Sequence, residues 1–249
     1  MTQRRILRLT GPDTSEFLQG LITNDIRKLD SGLVYAAILT PQGKYIADFF
    51  LLADGEAVLL DVSEALADAL VQRLNMYKLR ADVAIEQTDL HLHRGLGEAP
   101  DDGHADPRSD ALGWRAYRDS AQTDDVTDWG ALRVAHVIPE SGIELTPDSF
   151  ILEQGFERLK GVDFRKGCYV GQEVTARMKH KTELRKGLAQ ITLSAPVPVG
   201  TPITADGKPA GTVLSQSGKH ALAYLRFDRA KGALQAGDAS VSWQPEQAS

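Results

Sequence analysis

Hydrophobic and polar positions in the first part of the chain follow both helical and strand periods. The segment DTSEFLQGLI (13–22) places apolar residues on one helical face and offers Asp13 or Ser15 as an N-cap. The apolar runs LVYAAILT (33–40) and KYIADFFLL (44–52) are joined by the turn PQG and predict a β hairpin. The chain therefore mixes α and β elements from its start.

The same mixture continues after the predicted hairpin. AVLLDV (57–62) predicts a third strand, and Ser63 is placed to cap a helix in which Leu66, Leu70 and Leu74 recur every four residues. ADVAIEQ and LHLHRGL then return to the alternation that is typical of strands. This order of elements favours an α+β fold.

The middle of the chain interrupts the alternation. Residues 97–112 are acidic and rich in Pro, Gly and Asp, which predicts an exposed loop between two subdomains. LGWRAYR (112–118) then predicts a strand, and DWGALRVAHVI (128–138) predicts a helix. The first part of the chain, 1–184, is thus expected to form two interleaved α+β subdomains.

The last 65 positions have a different texture. From residue 185 onward, short strand-like segments such as LAQITL, GTVLSQ and HALAYLRF are separated by Gly and Pro. This pattern predicts a small C-terminal β-barrel or sandwich over 185–249. The predicted architecture is α+β followed by all-β.

Composition and charge narrow the possible partners and compartments. The 249 residues are 42% hydrophobic and 25% charged, with a formal net charge of -6 and a pI of about 5.5. An acidic chain argues against nucleic acid as the main ligand, because nucleic-acid binders usually carry a basic face. The N-terminus shows no signal-peptide pattern, no apolar run is long enough to span a membrane, and one cysteine cannot form an internal disulfide. We therefore expect a cytoplasmic protein.

Common catalytic motifs do not occur in this sequence. It contains no phosphate-binding loop, no dinucleotide fingerprint between strand and helix, and no G-x-S-x-G elbow. The six histidines show no metal-ligand spacing, so no metal site is predicted. The search for chemistry therefore turns to the one cysteine.

Cys168 lies in the segment KGCYVGQEVTAR, just before a predicted helix YVGQEVTAR. A thiol near a helix start, with Arg165 and Lys166 beside it and Gly167 and Gly171 leaving it uncovered, is expected to be accessible. Its pKa is expected to lie below the unperturbed value of about 8.5. The alternative is that a lone cysteine packs as a small buried hydrophobe. The polar neighbours favour a reactive cysteine.

The same segment resembles the K-G-C-[FY]-x-G-Q-E signature of the YgfZ family, folate-binding proteins related to the aminomethyltransferase (T-protein) of the glycine cleavage system. FLQGLITNDI, LTPQGKYIADFFL, DPRSDALGWRAY and RVAHVIPESGIELTPDSFILE are similar to other family segments in the same order. GKPAGTVLSQSGKHALAYLR is similar to the family's C-terminal barrel, so the resemblance covers essentially the whole chain. The signature residues are Lys166, Gly167, Cys168, Tyr169, Gly171, Gln172, Glu173 and Arg177.

The resemblance implies a fold and a role. The fold would be a T-protein-like folate-binding body around a central cavity, with the small β-barrel beside it. The role would be tetrahydrofolate-dependent assembly or repair of iron–sulfur clusters, especially four-iron clusters, with Cys168 as the active residue. The implied partners are tetrahydrofolate or a derivative, iron–sulfur assembly proteins and client cluster enzymes.

The resemblance also implies ligands for the folate. Glu140 in IPESG matches a glutamate that contacts the pterin, and a carboxylate suits this role because it accepts hydrogen bonds from the pterin N–H groups. Asn24 and Asp25 match an Asn-Asp pair near the folate cavity. In the hairpin, aminomethyltransferases carry an Asp pair where this chain has Ala47 beside Asp48. Their acid–base chemistry is therefore not carried over.

Three functions remain open at this point. The chain is a folate-binding accessory factor for iron–sulfur clusters that uses Cys168, an aminomethyltransferase, or a folate-binding module with a structural cysteine. The sequence leaves open whether the chain is an enzyme; if it is one, the resemblance implies a folate-dependent aminomethyltransferase-like transferase. The signature favours the first function over the second.

Overall fold

The computed structural model describes residues 3–181 and 184–244, and the chain divides into two compact units. The first unit comprises Met1–Thr127 and Leu159–Val174, and the second comprises Asp128–Arg158 and Thr175–Ser249. The second unit thus contains residues 128–158 and 175–184 in addition to the predicted barrel region. The division into 1–184 and 185–249 stays a prediction.

A five-stranded antiparallel sheet forms the centre of the first unit, in the order β2-β3-β4-β1-β5. The predicted hairpin is confirmed, since Val34 pairs with Leu51 and the pairing continues to Leu39 and Tyr45 at the turn. The strands are β1 Arg4–Thr10, β2 Val34–Leu39, β3 Tyr45–Asp54, β4 Ala57–Ser63 and β5 Ala84–Gln87.

Two helices belong to the first unit and supply apolar side chains to its core. They are α1 (Thr14–Gln19) and α2 (Glu64–Lys78), and Leu18, Leu70 and Leu74 are completely buried. The predicted caps differ from the structure, because neither Asp13 nor Ser63 makes a side-chain cap hydrogen bond. The helices are therefore held by their packed apolar faces more than by capping.

A second, three-stranded sheet of the first unit has the order β6-β8-β7, with β6 His91–Gly95, β7 His104–Ala105 and β8 Trp114–Arg118. The segment 97–112, predicted as a loop between subdomains, contains β7 and a 3-10 helix and lies within this unit. Its Asp106 carboxylate is buried and pairs with Arg108 and Arg115. Pairing with the two guanidinium groups explains how the Asp106 charge is buried, while most of the segment stays exposed or half-buried.

Asp61 extends this buried ionic layer to the five-stranded sheet. Its carboxylate accepts hydrogen bonds from Arg4, Arg115 and Tyr117. Burial acts to raise the pKa of Asp61, but the charges of Arg4 and Arg115 outweigh it and hold the pKa below its usual range. Because side chains alternate along a strand, Asp61 lies on the opposite face of β4 from core residues such as Leu60.

The second unit contains a closed six-stranded barrel in the order β10-β11-β12-β9-β14-β13, with β13 pairing to β10. The predicted C-terminal barrel is confirmed. Helix α3 (Trp129–His136) packs Val134 with barrel residues Leu188 and Leu222. The last α-helix in the described part of the chain is α4 (Gln172–Lys181), of which residues from Thr175 onward belong to this unit. The barrel strands are β9 Lys186–Leu193, β10 Pro202–Ala205, β11 Lys208–Ser217, β12 His220–Arg226, β13 Leu234–Ala236 and β14 Ala239–Ser242.

Candidate functional site: the cysteine segment

The segment around Cys168 alternates between exposed and buried residues. Arg165, Gly167 and Cys168 are exposed, whereas Lys166 and Tyr169 are buried. The thiol is therefore presented to solvent between two side chains that point into the first unit. The expected accessibility of Cys168 agrees with this placement.

Lys166 holds the segment from inside. Only 4% of the residue is exposed, and its Nζ donates to the backbone oxygens of Gln19 at 2.6 Å and Ile22 at 2.5 Å. The same Nζ lies 5.0 Å from the centre of the Tyr169 ring, within cation–π range. Burial lowers the pKa of Lys166 to about 8. The Lys166 ammonium group is thus used in buried hydrogen bonds. The sequence had suggested instead that this charge is exposed beside the thiol.

Gly171 sets the start of the following helix. Its φ is +85°, and an added Cβ would lie 2.6 Å from the backbone oxygen of Thr40, so only glycine fits this turn. Helix α4 begins at Gln172, later than the predicted start at Tyr169. Cys168 consequently precedes the helix by a short turn.

The remaining signature residues lie on α4. Gln172 is half-buried, and Glu173 and Arg177 are both exposed and lie about one helical turn apart. These side chains follow the thiol along the chain.

Asn24 is committed to backbone contacts. The residue is 2% exposed, and its Nδ2 donates to the carbonyl oxygens of Tyr35 at 2.8 Å and Lys160 at 2.7 Å. Its Oδ1 accepts from the Asp25 N–H and from the Lys28 ammonium, both at 2.9 Å. An amide has two donor hydrogens and two acceptor sites, and all four are used here. Asn24 therefore does not fit the role of a direct pterin ligand.

Asp25 is the N-cap of a short 3-10 helix, Ile26–Ser31. Its carboxylate accepts from the backbone N–H of Arg27 and pairs with the guanidinium of the same residue. These Arg27 hydrogen bonds hold the pKa of Asp25 well below its usual range. The carboxylate also accepts from Gln19, so it is used for local structure in the same way as Asn24.

The loop that carries Asn24 is bonded directly to the chain that leads to Cys168. Thr23 donates from Oγ1 to the Gly161 oxygen at 2.7 Å, and its own carbonyl accepts from the Asp163 N–H at 3.0 Å. Lys28 pairs with the Asp163 carboxylate at 2.7 Å. Sequence analysis missed Thr23 and Asp163, because no local pattern signals contacts between positions so far apart in the chain.

Glu140 lies in the second unit, beside a buried carboxylate. Its Oε2 pairs with the Arg133 Nε at 2.8 Å, and its backbone N–H donates to Glu144 at 3.0 Å. Glu144 is buried and also pairs with Arg133 at 3.0 Å. The side chain of Glu140 remains 25% exposed, so its carboxylate can still reach a ligand.

Asp48 lies at the hairpin position that was compared with the Asp pair of aminomethyltransferases, and it is not exposed. Asp48 is buried and accepts hydrogen bonds from the hydroxyls of Tyr35 at 2.9 Å and Tyr45 at 2.6 Å. Burial raises the pKa of Tyr35 well above its usual value, so its hydroxyl stays protonated and donates. Ala47 belongs to the apolar core.

The described part of the chain contains neither a cluster of side chains suited to a metal ion nor a helix suited to span a membrane. Over residues 3–181 and 184–244, no group of three or more His, Cys, Asp or Glu side chains is arranged to hold a metal ion. In the same part of the chain, no helix has the length and apolar character needed to cross a bilayer.

Comparisons with known proteins place this geometry in a class. The chain matches the crystal structure of the glycine cleavage system aminomethyltransferase T from Bartonella henselae with a TM-score of 0.76 and 13% identity, over 97% of this chain and 82% of the other. Residues 185–249 match the family model of the CAF17 C-terminal β-barrel domain. The chain therefore belongs to the class of α+β proteins that have the aminomethyltransferase fold and a C-terminal barrel, as predicted.

Sequence relatives identify the family within this class. The iron–sulfur cluster assembly factor IBA57, mitochondrial, is 31% identical in Mus musculus and 29% in Homo sapiens, each over 93% of this chain and 78% of the relative. The IBA57 homolog of Mycosarcoma maydis is 32% identical over 76% of this chain and 55% of its own length. The chain belongs to the IBA57 family of iron–sulfur cluster assembly factors.

These relatives refine one expectation and correct another. The resemblance to an iron–sulfur assembly factor with a T-protein-like fold is confirmed, although the relatives carry the name IBA57 and YgfZ is a related family. The expected cytoplasmic localisation is wrong, because these relatives are named as mitochondrial proteins and point to the mitochondrion. The sequence argument rested on missing signals, which do not identify a compartment.

Proposed function

We propose that this chain is an iron–sulfur cluster assembly factor that acts through the thiol of Cys168. The observation that carries the proposal is the presentation of Cys168, the one cysteine of the sequence, in solvent between the buried Lys166 and Tyr169. A cysteine used only for packing would be covered, because cysteine is among the most buried residue types. Membership of the IBA57 family supports a role in iron–sulfur cluster assembly.

The number of thiols limits what the chain does with a cluster. Common iron–sulfur clusters are held by typically four cysteine thiolates, and this sequence supplies one. The cluster is therefore cargo, and its remaining ligands come from a partner. The proposed partners are iron–sulfur assembly proteins and the client enzymes that receive four-iron clusters.

The test of this proposal replaces Cys168 by serine. Cys168→Ser removes no large apolar volume, so the fold should persist while the activity of four-iron enzymes is not restored in cells that lack the native protein. A matched control is Ser217→Ala, a small change in the barrel that should complement fully. Full complementation by Cys168→Ser would exclude the thiol from function.

Tetrahydrofolate binding is a second part of the proposal, and it is supported by the aminomethyltransferase-like fold. Asn24 and Asp25 do not fit as direct ligands, because their polar atoms are bonded within the chain. Glu140 is the candidate whose side chain, although paired with Arg133, remains partly exposed. Glu140→Ala should weaken tetrahydrofolate binding by about 1.5–3 kcal/mol in calorimetry, the range for charge-assisted hydrogen bonds. No detectable binding by the unmutated protein would refute the folate proposal.

The aminomethyltransferase alternative is disfavoured by the hairpin. General acid–base catalysis needs a carboxyl within reach of the reacting nitrogen. Here both Asp48 oxygens accept from tyrosine hydroxyls, and Ala47 offers no replacement. We expect no methylene-tetrahydrofolate from an aminomethyl-lipoyl donor. Robust product formation in that assay would restore the enzyme hypothesis.

A further inference from the structure

We propose that Lys166 is a positioning residue that fixes the Cys168 segment to the end of α1. This inference deepens the proposed function and rests on it, because it assigns a purpose to the order of the segment that bears the thiol. Lys166 does not contact the cluster or the partner in this proposal. It acts through the backbone on which Cys168 is presented.

The first argument is the pair of bonds made by the ammonium group. Gln19 is the last residue of α1, and the final carbonyls of a helix have no partner within the helix. Lys166 donates to the Gln19 carbonyl and also to that of Ile22. One side chain thus connects the cysteine segment to the last residue of α1 and to a residue just beyond it. A cation is electrostatically favoured at this end of a helix.

The second argument is the cost of the arrangement. A lysine that is 4% exposed loses most of its hydration, and the lowered pKa reflects this loss. An apolar side chain would fill the same space without that penalty. What the ammonium supplies, and an apolar group does not, is a directed connection to the two carbonyls.

The third argument is that neighbouring contacts join the same two segments. Thr23 bonds to Gly161, Asn24 bonds to Lys160, and Asp163 bonds to Thr23. We name these contacts, together with those of Lys166, the clasp. Lys166 is its last member before Cys168, so its loss frees the end of the segment that carries the thiol while the other contacts remain.

The fourth argument is the direction of the side chains. Lys166 and Tyr169 point inward and pack on each other, and the two residues between them are exposed. Because both flanking residues are anchored, the position of Cys168 is fixed even though its thiol is uncovered. A thiol that exchanges a cluster with a partner benefits from such a fixed position, because the segment then loses less conformational entropy when the partner docks.

The experiment uses the single cysteine as a labelling site. A nitroxide attached to Cys168 reports local motion by electron paramagnetic resonance, well below the unfolding temperature. Lys166→Met should make the label several-fold more mobile while circular dichroism shows a folded protein. Lys208→Met, the same change on an exposed barrel lysine, should leave the spectrum unchanged. Equal label mobility in Lys166→Met and the unmutated protein would overturn the proposal.

A second variant covers the case in which Lys166→Met does not fold. Lys166→Gln keeps N–H donors on a shorter side chain that does not span both carbonyls, so its label should also gain mobility; an unchanged spectrum would again overturn the proposal. Unlabelled variants are tested separately by complementation. If Cys168→Ser complements but the label on Cys168 gains mobility in Lys166→Met, the proposed function fails and the clasp stands.

Discussion

Asn24→Asp separates a structural asparagine from a ligand of folate. The substitution keeps the shape of the side chain but replaces its NH2 group by an oxygen. The carbonyls of Tyr35 and Lys160, which accept from Nδ2 at 2.8 and 2.7 Å, then lose their donor and face a carboxylate oxygen. The substitution therefore removes the bond between β2 and the segment that leads to Cys168.

The cost follows from these two carbonyls. The Tyr35 carbonyl is buried, and leaving it without a partner costs about 1–3 kcal/mol. Lys160 is an exposed residue, so the loss of the donor at its carbonyl costs less. A stronger pair between the new carboxylate and Lys28, whose side chain is 48% exposed, returns at most about 1 kcal/mol. We expect a net loss of about 2 kcal/mol in the free energy of unfolding. At about 2–4 °C per kcal/mol, the melting temperature should fall by about 4–8 °C.

Calorimetry or urea titration followed by tryptophan fluorescence measures this loss. Asn75→Asp changes the other asparagine of the sequence, which is exposed on α2, and should lie within about 0.5 kcal/mol of the unmutated protein. At low pH the new carboxyl takes up a proton and regains one donor, so the destabilisation should shrink. An Asn24→Asp protein of unchanged stability that no longer binds tetrahydrofolate would refute the structural role.

Two further predictions concern the signature glycines and the buried ionic layer. Gly171→Ala should lower the melting temperature, because the φ of +85° is strained for alanine and its Cβ meets the Thr40 oxygen. Gly167→Ala should leave the melting temperature equal or slightly higher, because among the described residues beyond its two chain neighbours no atom lies within 4 Å of the added Cβ. Equal losses in the two variants would contradict this geometry. Asp61→Asn should cost about 3 kcal/mol in urea titration, because it removes the nearer of the two carboxylates of the buried Arg115 guanidinium and leaves the Asp106 carboxylate at 3.4 Å. A loss below about 1 kcal/mol would mean that the pair contributes little.

Strands and the barrel were predictable because their signals are local. The hairpin β2–β3 follows from two apolar runs around a Pro-Gln-Gly turn, and the barrel follows from short strands between Gly and Pro. The predicted start of α4 was three residues early, because the pattern does not reveal that Gly171 occupies a positive φ. Signals of this kind specify the element and leave its boundary open.

Buried charges were not predictable from local patterns. Lys166 looks like a surface lysine beside a thiol, yet its partners Gln19 and Ile22 lie 147 and 144 positions away in the sequence. Asp106 lies in an acidic segment that was interpreted as an exposed loop, but Arg108 and Arg115 pair with it inside the first unit. A charged residue is tolerated inside only when a partner is there, and that partner is set by the tertiary fold.

The signature around Cys168 therefore divides into residues that the fold requires and residues that it does not. Lys166 and Tyr169 are buried anchors, and Gly171 is needed where the turn approaches Thr40. Gly167 and Cys168 meet neither condition. Both are exposed, and an added Cβ at Gly167 would contact none of the described residues other than its chain neighbours. Small, uncovered residues on an anchored segment leave room for a second molecule at the thiol. The exposure of Gly167 and Cys168, which the fold does not require, is what the proposed exchange of a cluster with a partner would need.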